Sequence, residues 1–326
     1  MNYLSRILAL SLLAACAASP ASADAARSLK IGVLNDASGP YSDNAGEGSV
    51  TAAKMAAEDF MRLHPDFRVE IVSADHQNKA DVGAAIARRW IGQEKVDAVA
   101  DVPNSAVGLA INTILRDSRM TFLASSTASS DLTGKACSPN TIQWVNDAWA
   151  TGNTTAAAMM QRGGKDWYFV TVDYALGKGI EAEATNYIEK HGGKVLGSSK
   201  HPLGTSDFAS FLLQAQGSKA KVIGLANAGG DTTNAIKQAS EFGITTGGQK
   251  LAALLLFVND VHALGLKIAQ GLTFTESFYW DANDQTRAWS KRFQKVSPKG
   301  SMPSMTVAGV YAGVLHYLKA LDAMGV

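Results

Sequence analysis

Cysteine is scarce in this 326-residue sequence, with one residue at position 16 and one at position 137. None of the six histidines forms an HxH or HExxH pair or stands with cysteine at a metal-binding spacing. Cys137 also has no histidine near it in sequence, which argues against a catalytic thiol. We therefore expect no metal, no cofactor and no catalytic cysteine.

Nucleotide and nucleophile motifs are missing as well. The sequence contains no GxSxG, no GxxxxGK[ST] and no GxGxxG, and the nearest approach, Gly46-Glu47-Gly48, lacks the third glycine. Without a nucleophile and base in a recognisable arrangement, an exported α/β enzyme such as a hydrolase is disfavoured, and we expect no enzyme activity.

Charge of one sign is not in excess, since 30 basic and 29 acidic residues give a formal net charge of +1. No long basic run and no basic–aromatic interleaving occurs, which argues against a nucleic-acid partner. After the N-terminal region no stretch is apolar for the roughly 18 residues that a membrane-spanning helix needs.

The N-terminus has the pattern of a secretory signal. Arg6 gives a positive start, residues 7–19 form a short apolar region, and the small residues 21–23 fit an A-x-A cleavage site before Asp24. The alternative is a lipoprotein box ending at Cys16, but the apolar region would then be short. We predict cleavage after residue 23 and a periplasmic location.

Short apolar strands alternate with amphipathic helices from position 29 onward, which predicts an open, doubly wound α/β fold. The predicted strands of the first unit are "LKIGVLND", "FRVEIVSAD", "VDAVADV" and "MTFLAS". The segment "TIQWVNDAWATGNTTAAAMMQRGG" breaks the rhythm, and the pattern then restarts with "DWYFVTVDYALG", "KVLGSSKHPLG", "KVIGLANAGGD" and "KLAALLLF". Two α/β units in tandem are therefore predicted, followed by helices over 287–296 and 306–324.

Polar turns follow the predicted strands in both units: "ASGPYSD", "PNSAVG", "ASSTASSD", "DYALG", "ANAGGD" and "FVND". In open α/β sheets ligands bind at the carboxyl ends of the strands, so these turns predict a shared cleft. Asn104 and Ser105 begin a helix whose free N–H groups suit an anion, although plain N-capping by Ser105 is the alternative.

Aromatic residues stand at the tips of these turns and near the break between the units. Tyr41 and Tyr174 could wall an apolar ligand and present a hydroxyl, or could pack over their own turns. Trp144 and Trp149 flank the break, where they could line the ligand or pack the hinge; packing is the favoured role of Trp144.

Several stretches resemble one family. "LKIGVLNDASGPYSDNAGEGSVTAAKMAAEDF", "LASSTASSDLTGKACSPNTIQW", "DYALGKG" and "ESFYWDANDQTRAWSKRF" are similar to ABC-transporter solute-binding proteins of the leucine/isoleucine/valine-binding type. The resemblance runs from about Leu29 to the end. It implies the type I periplasmic binding protein fold, in which two lobes joined by crossovers close on a small molecule and deliver it to a membrane permease.

The resemblance also implies domain bounds, namely lobe 1 at 28–146 plus 278–326 and lobe 2 at 147–277, with crossovers near 144–149 and 275–280. A monomer is expected. Related sequences usually continue further, so the third crossover and the last strands look truncated. They often pair a cysteine at the position of Cys137 with one near the C-terminus.

Ligand contacts carry over from the family motif "S-P-A-A-T-A-P-E-L-T", which resembles residues 124–133 and holds a ligand carboxylate in the family. The positions implied in this way are Ser126 and Ala128, with Ser125 and Thr127 beside them, Asn104 and Ser105 at the helix start, Tyr174, and Ala228 in a loop that often carries tyrosine.

One position departs from the family pattern. Amino-acid binders hold the ligand ammonium with an acidic residue, and Phe257 stands about where that acid would be. A buried ammonium without a carboxylate is costly, so we expect an aromatic carboxylate rather than a branched-chain amino acid. Asp231 remains as a possible ammonium partner, which keeps an amino-acid or amide ligand as the alternative. A receptor subunit that senses the ligand without transport is equally compatible with the sequence.

Overall fold

The computed structural model describes residues 26–326. The predicted signal peptide, residues 1–23, and the alternative lipidation site at Cys16 lie outside the described residues.

Lobe 1 is built on a parallel sheet with the strand order β2-β1-β3-β4-β5. Its strands are β1 (Arg27–Asn35), β2 (Phe67–Asp75), β3 (Ala98–Asp101), β4 (Thr121–Ala124) and β5 (Thr141–Gln143). The helices between them are α1 (Gly46–Leu63), α2 (Ala80–Arg89) and α3 (Ser105–Arg116).

Lobe 2 is built on a second parallel sheet with the order β7-β6-β8-β9. Its strands are β6 (Asp166–Val172), β7 (Lys194–His201), β8 (Val222–Ala226) and β9 (Lys250–Ala253). The accompanying helices are α4 (Ala148–Gln161), α5 (Ala175–Lys190), α6 (Ala209–Gly217), α7 (Gly230–Glu241), α8 (Val258–Leu264) and α9 (Leu266–Ala269).

The central strands β3 and β8 are buried along their whole length, as the continuous apolar runs of the sequence predict for parallel strands covered on both faces. Every residue of β3 and of β8 is buried, whereas the edge strand β2 includes exposed positions. The predicted α/β class with two tandem units is confirmed.

The last two helices, α10 (Asp284–Val296) and α11 (Met305–Ala323), pack on lobe 1. Val307, Val310 and Val314 of α11 join a core cluster with Ala53 of α1 and Phe293 of α10. Chain that follows lobe 2 therefore returns to the first sheet, while the exact lobe bounds stay a prediction.

The segment predicted as a break in the pattern contains two regular elements, and here the sequence interpretation was incomplete. Residues 141–143 form β5, paired with β4 from Phe122 to Ala124, and α4 follows directly with Asp147 as its N-cap. The strand is only three residues long and has one apolar side chain, so it shows no period of its own.

Candidate functional site

The segments that follow six strands meet in one cavity between the lobes, with a volume of about 20 Å³, here called the interlobe cavity. Four residues predicted as ligand contacts line it: Tyr41, Ser126, Ala228 and Phe257. Six further lining residues were missed from the sequence: Asn44, Ala45, Pro103, Leu176, Leu255 and Thr306. Loops after β1, β3, β4, β6, β8 and β9 all contribute, because the carboxyl ends of parallel strands share one edge of each sheet.

Tyr41 and Tyr174 meet across the lobes, with 2.6 Å between their hydroxyl oxygens. Burial raises the pKa of both phenols well above the ordinary value, so both hydroxyls stay protonated. Tyr41 lines the interlobe cavity, while Tyr174 lines a more open groove of about 520 Å³ together with Asn104 and Lys200. The tyrosine pair therefore stands between the cavity and that groove.

Other contacts join the lobes beside this pair. The Gly230 N–H donates to the Pro40 carbonyl at 3.1 Å, and the Asn44 side-chain amide donates to the Asp260 carboxylate at 3.1 Å. Near the serine loop, Ser130 Oγ donates to Glu183 at 3.2 Å. The structure is thus a closed arrangement in which the interlobe cavity has little access to solvent.

Residues of the serine loop after β4 have different roles. Ser126 lines the cavity, whereas Thr127 is fully buried and donates its hydroxyl to the Val102 carbonyl at 2.6 Å. The Ser125 hydroxyl is buried without a partner, and the Ala128 carbonyl accepts from Ala148 N–H at 2.6 Å. Of the four predicted positions in this loop, only Ser126 lines the cavity.

At the start of α3, Asn104 is the N-cap rather than Ser105. The Asn104 Oδ1 accepts from the N–H groups of Ala106 at 3.0 Å and Val107 at 3.2 Å. Two of the free N–H groups that an anion would use are therefore occupied. Ser105 is buried, and its hydroxyl has no partner within the described chain.

Asp101, which the sequence interpretation did not single out, lies directly behind Ser126. Its side chain is fully buried and accepts a hydrogen bond from the Ser126 hydroxyl. Burial raises its pKa to about 7 despite that hydrogen bond, because the ionised carboxylate is poorly solvated there. The sequence did offer a signal for Asp101, since it is an acidic residue at the end of the buried strand in "VDAVADV".

Lobe 2 places Phe257 in the cavity wall as the N-cap residue of α8. Its N–H donates to Asp260 at 3.1 Å, and the N–H of Val258 donates to Glu276 at 2.7 Å. Burial raises the pKa of Asp260 to about 6 and that of Glu276 to about 8. These two acids lie beneath the start of α8, outside the lining of the interlobe cavity.

Asp231 does not line the cavity either. It is buried in the first turn of α7, accepts from Gly204 N–H at 3.2 Å, and lies 3.9 Å from His201 Nδ1. Burial raises the Asp231 pKa to about 6 and lowers that of His201. The Asn227 amide donates to His201 Nε2 at 3.0 Å, which suits a neutral imidazole.

The tryptophans near the lobe junction are not brought to the cavity. Trp149 is 59% exposed on α4. Trp144 packs on His316 with 5.0 Å between ring centroids and lies against Gly313 of α11. Its position agrees with the packing role favoured from the sequence.

Among residues 26–326 no group of three or more His, Cys, Asp or Glu side chains is arranged to hold a metal ion. Cys137 is exposed and forms no disulfide within this range. The same residues include no helix with the length and apolar character needed to cross a membrane.

Chemically, the interlobe cavity offers apolar walls with a few polar groups. Aromatic or aliphatic surface comes from Tyr41, Phe257, Leu176 and Leu255, and hydroxyl or amide groups come from Ser126, Thr306 and Asn44. No charged side chain is among its lining residues. A lining of this kind suits a small, largely apolar molecule fixed by a few hydrogen bonds, once the lobes part far enough to make room for it.

The family model described as periplasmic binding protein matches residues 28–326. A periplasmic binding protein from Burkholderia mallei is 46% identical, with a TM-score of 0.88, and the match covers 92% of this chain and 79% of that one. A branched-chain amino acid ABC transporter periplasmic ligand-binding protein from Burkholderia xenovorans is 37% identical, with a TM-score of 0.78, covering 91% and 79%. None of the curated proteins compared gives a significant match.

A solute-binding protein of an ABC transporter from Rhodopseudomonas palustris, in complex with p-hydroxybenzoic acid, has a TM-score of 0.77 at 23% identity, covering 91% of this chain and 81% of that one. At that identity the likeness shows the fold alone. The family model and the two Burkholderia proteins show the family as well as the fold. Members of this family are extracytoplasmic solute-binding proteins rather than enzymes. The chain therefore belongs to the periplasmic binding protein family, as an ABC-transporter solute-binding protein of the branched-chain amino acid type.

Proposed function

We propose that this protein binds a small aromatic carboxylate, such as benzoate or a hydroxybenzoate, and presents it to the permease of an ABC importer. Closure of the two lobes traps the ligand in the interlobe cavity, so that ligand shifts the equilibrium toward the closed state. The protein acts as a monomer, with lobe 1 at 28–146 plus 278–326, lobe 2 at 147–277 and a signal peptide at 1–23.

The observation that carries this proposal is Phe257 in the wall of a cavity that has no acidic lining residue. An aromatic ring packs favourably against Phe257 and Tyr41, whereas an ammonium group would be buried there without a direct counter-charge. In the closed arrangement the interlobe cavity encloses only about 20 Å³, so the lobes must part and the lining side chains must move to admit a benzoate.

Hydrogen-bonding groups in the cavity suit the two ends of a hydroxybenzoate. Ser126 supplies a hydroxyl for the carboxylate, as its place in the loop after β4 suggests. The Asn44 amide nitrogen donates to Asp260, which fixes the orientation of the amide, and the Asn44 amide oxygen is buried without a partner. An acceptor held in this orientation matches a ligand hydroxyl.

A branched-chain amino acid is the second candidate, favoured by the name of the Burkholderia xenovorans relative. Asp101, one hydrogen bond behind Ser126, and Asp231, buried in lobe 2, are the acids that an ammonium group would need to reach. Neither lines the interlobe cavity, so this ligand would require the cavity to rearrange.

A thermal-shift series with benzoate, 4-hydroxybenzoate, leucine and valine separates the two candidates. A ligand present at a hundred times its Kd stabilises the folded protein by about 2.7 kcal/mol, which is a shift of several degrees. We expect benzoate or 4-hydroxybenzoate to raise the Tm. A rise with leucine or valine and none with the aromatic acids would contradict the proposal.

The same series with Ser126→Leu tests the location of the site. The larger side chain fills the cavity, so the ligand-dependent shift is expected to disappear while the protein still unfolds cooperatively. Ser206→Leu, on an exposed loop of lobe 2, is the matched control and should keep the shift. Normal binding by Ser126→Leu would mean that the site lies elsewhere.

A further inference from the structure

Asp101 has an unusual backbone conformation for a residue that ends a strand. Its φ is 82° and that of Val102 is 65°, in the left-handed region that non-glycine residues seldom adopt and β-branched residues adopt least. Strained backbone of this kind concentrates at functional sites and persists only where neighbouring contacts hold it.

Hydrogen bonds from the serine loop hold this turn in place. The Ser126 N–H donates to the Asp101 carbonyl at 3.2 Å, and Thr127 Oγ1 donates to the Val102 carbonyl at 2.6 Å. The Ser126 hydroxyl donates to one carboxylate oxygen of Asp101, while the other oxygen, Oδ2, is buried without a partner. The Asp101 side chain is thus fixed directly against the one serine-loop residue that lines the interlobe cavity.

The Ser126 hydroxyl has a single proton to donate. When Asp101 is ionised it can only accept, so it takes that proton, and Ser126 then presents only lone pairs to the cavity. When Asp101 is protonated it can donate to Ser126 Oγ instead, which frees the Ser126 proton for a ligand. An ionised Asp101 would also repel a ligand carboxylate at short range.

We propose that Asp101 is a positioning residue that orients the Ser126 hydroxyl, so that binding of a carboxylate ligand is coupled to the uptake of one proton. The inference rests on the proposed aromatic carboxylate ligand. It adds that the protonation state of Asp101 selects which ligand group can bind Ser126. Protonated Asp101 favours a hydrogen-bond acceptor there, such as the ligand carboxylate, whereas ionised Asp101 favours a ligand group that donates a hydrogen bond.

The surroundings of Asp101 favour the protonated form of its carboxyl group near neutral pH. Its neighbours are Leu34 in β1, Ser49 in α1 and Ser126 in the loop after β4, and the charged group that acts on it is Asp36, at the end of β1. Burial and the negative charge of Asp36 both favour the protonated form, and the Asp101 pKa is raised to about 7. A bound carboxylate adds a further negative charge and raises it again.

The sign of the pH dependence follows. Below pH 7 Asp101 already carries the proton, so benzoate binds at full affinity. Above pH 7 a proton must be taken up on binding, and affinity falls as the pH rises. We expect the Kd for benzoate to be about tenfold higher at pH 8.5 than at pH 6.5, a range in which benzoate itself stays ionised.

Isothermal titration calorimetry with benzoate, at pH 6.5 and 8.5 and in buffers of different ionisation enthalpy, measures both the Kd and the protons taken up. Asp101→Asn keeps the shape and the tolerance for positive φ, and its amide donates to Ser126 permanently. It should bind benzoate with the same affinity at both pH values and take up no proton. Asp117→Asn, an exposed position at the end of α3, should behave as the wild type.

Circular dichroism and thermal unfolding of Asp101→Asn verify that it folds. If it does not, Ser126→Ala provides the second test: without the hydroxyl that Asp101 orients, benzoate should bind more weakly at pH 6.5, and the ratio of the Kd values at pH 8.5 and 6.5 should be smaller than in the wild type, because only the charge repulsion by Asp101 remains. Benzoate binding with a pH-independent Kd in the wild type would overturn the role of Asp101 and leave the proposed function intact. Failure of benzoate and 4-hydroxybenzoate to bind at either pH would overturn the proposed function and this inference with it.

Discussion

Glu276 and Asp260 place two carboxyl groups together beneath the start of α8. The Glu276 carboxylate accepts from the Val258 N–H, and its second oxygen is buried without a partner. Burial is the main reason that the pKa of Glu276 is raised to about 8, with repulsion from Asp260 adding to it. Near neutral pH the folded protein therefore keeps a proton on Glu276 that the unfolded chain has released.

Stability should consequently fall as the pH rises from 6.5 to 8.5. Unfolding free energy decreases with pH wherever the folded state binds more protons, which for Glu276 holds between its ordinary pKa and about 8. Asp101, with its pKa raised to about 7, contributes in the same direction. His76, whose pKa burial lowers to about 4, acts in the opposite direction but only below pH 6.5.

Thermal unfolding of the ligand-free protein across this range checks the prediction. The wild-type Tm should drop by a few degrees, and Glu276→Gln, which can still accept from Val258, should show a smaller drop. Glu241→Gln, on the exposed end of α7, is the control. Parallel slopes for the wild type and Glu276→Gln would show that Glu276 is already ionised in the folded state.

Sequence patterns identified residues at turn tips better than residues inside strands. Tyr41 was singled out because it stands at the tip of a turn after a predicted strand, with packing over its own turn as the alternative, and it does line the cavity. Asp101 was missed although an acidic residue at the end of a buried strand is a signal, and its positive φ, which sets the direction of its side chain, leaves no pattern in the sequence. The sequence likewise left open whether Asn104 or Ser105 caps α3. The two residues are neighbours, and which one is the cap depends on the residue at which the helix begins.

At the level of elements, the turn that leads into α7 controls how closely the lobes approach. Gly229 has φ of 58°, and a Cβ added there would lie 2.3 Å from the Pro40 carbonyl oxygen of lobe 1. The neighbouring Gly230 N–H donates to the same carbonyl. Only glycine allows this contact, because the approach is too close for any side chain.

Gly229→Ala should therefore block full closure while leaving each lobe folded. We expect ligand affinity to fall at least tenfold, because the closed state is lost. Gly192→Ala is the control: Gly192 also has a positive φ, 80°, but nothing lies within 4 Å of an added Cβ, so this variant tests a positive-φ glycine without the clash. Calorimetry gives the affinities. Equal binding by both variants would contradict a steric role for Gly229.

Long periodic elements were predictable and short ones were not. The central strands and the amphipathic helix α10 follow from their own patterns, although α10 begins three residues earlier than predicted, after the cap Asn283. Strand β5 exists because β4 offers it an edge to pair with, and a three-residue segment cannot signal that. Pairing across the sheet, rather than local propensity, decides such segments.

At the scale of the whole molecule, closure depends on a few polar contacts and on apolar packing, in which Tyr41, Ala128 and Met305 join the core cluster of lobe 2. The sequence indicated two tandem units and which edge of each sheet borders the interlobe cavity, but not how the lobes meet. Contacts such as Asn44 with Asp260 join residues far apart in the chain and leave no local pattern. They also set how readily the protein opens, which a solute-binding protein must do to release its ligand.

The hydrogen bond between Tyr41 and Tyr174 should favour the closed state even without ligand. Removing either hydroxyl leaves the other buried in the closed form without a partner, whereas both are free to bind water when the lobes separate. Tyr41→Phe and Tyr174→Phe should each shift the ligand-free protein toward the open state and weaken ligand binding by roughly two- to tenfold.

The double variant Tyr41→Phe/Tyr174→Phe shows whether the effects come from the hydrogen bond between the two tyrosines or from the loss of each hydroxyl separately. In a double-mutant cycle, a direct interaction between the two residues makes their effects non-additive. Small-angle scattering reports the fraction of open molecules, and calorimetry reports the affinity. If the tyrosine pair acts as a latch, the double variant will bind almost as well as either single variant, since no orphaned hydroxyl remains. Strictly additive losses would contradict the latch, because they would mean that each tyrosine contacts the ligand on its own. The bound ligand, rather than the hydrogen bond between the two tyrosines, would then separate the interlobe cavity from the open groove.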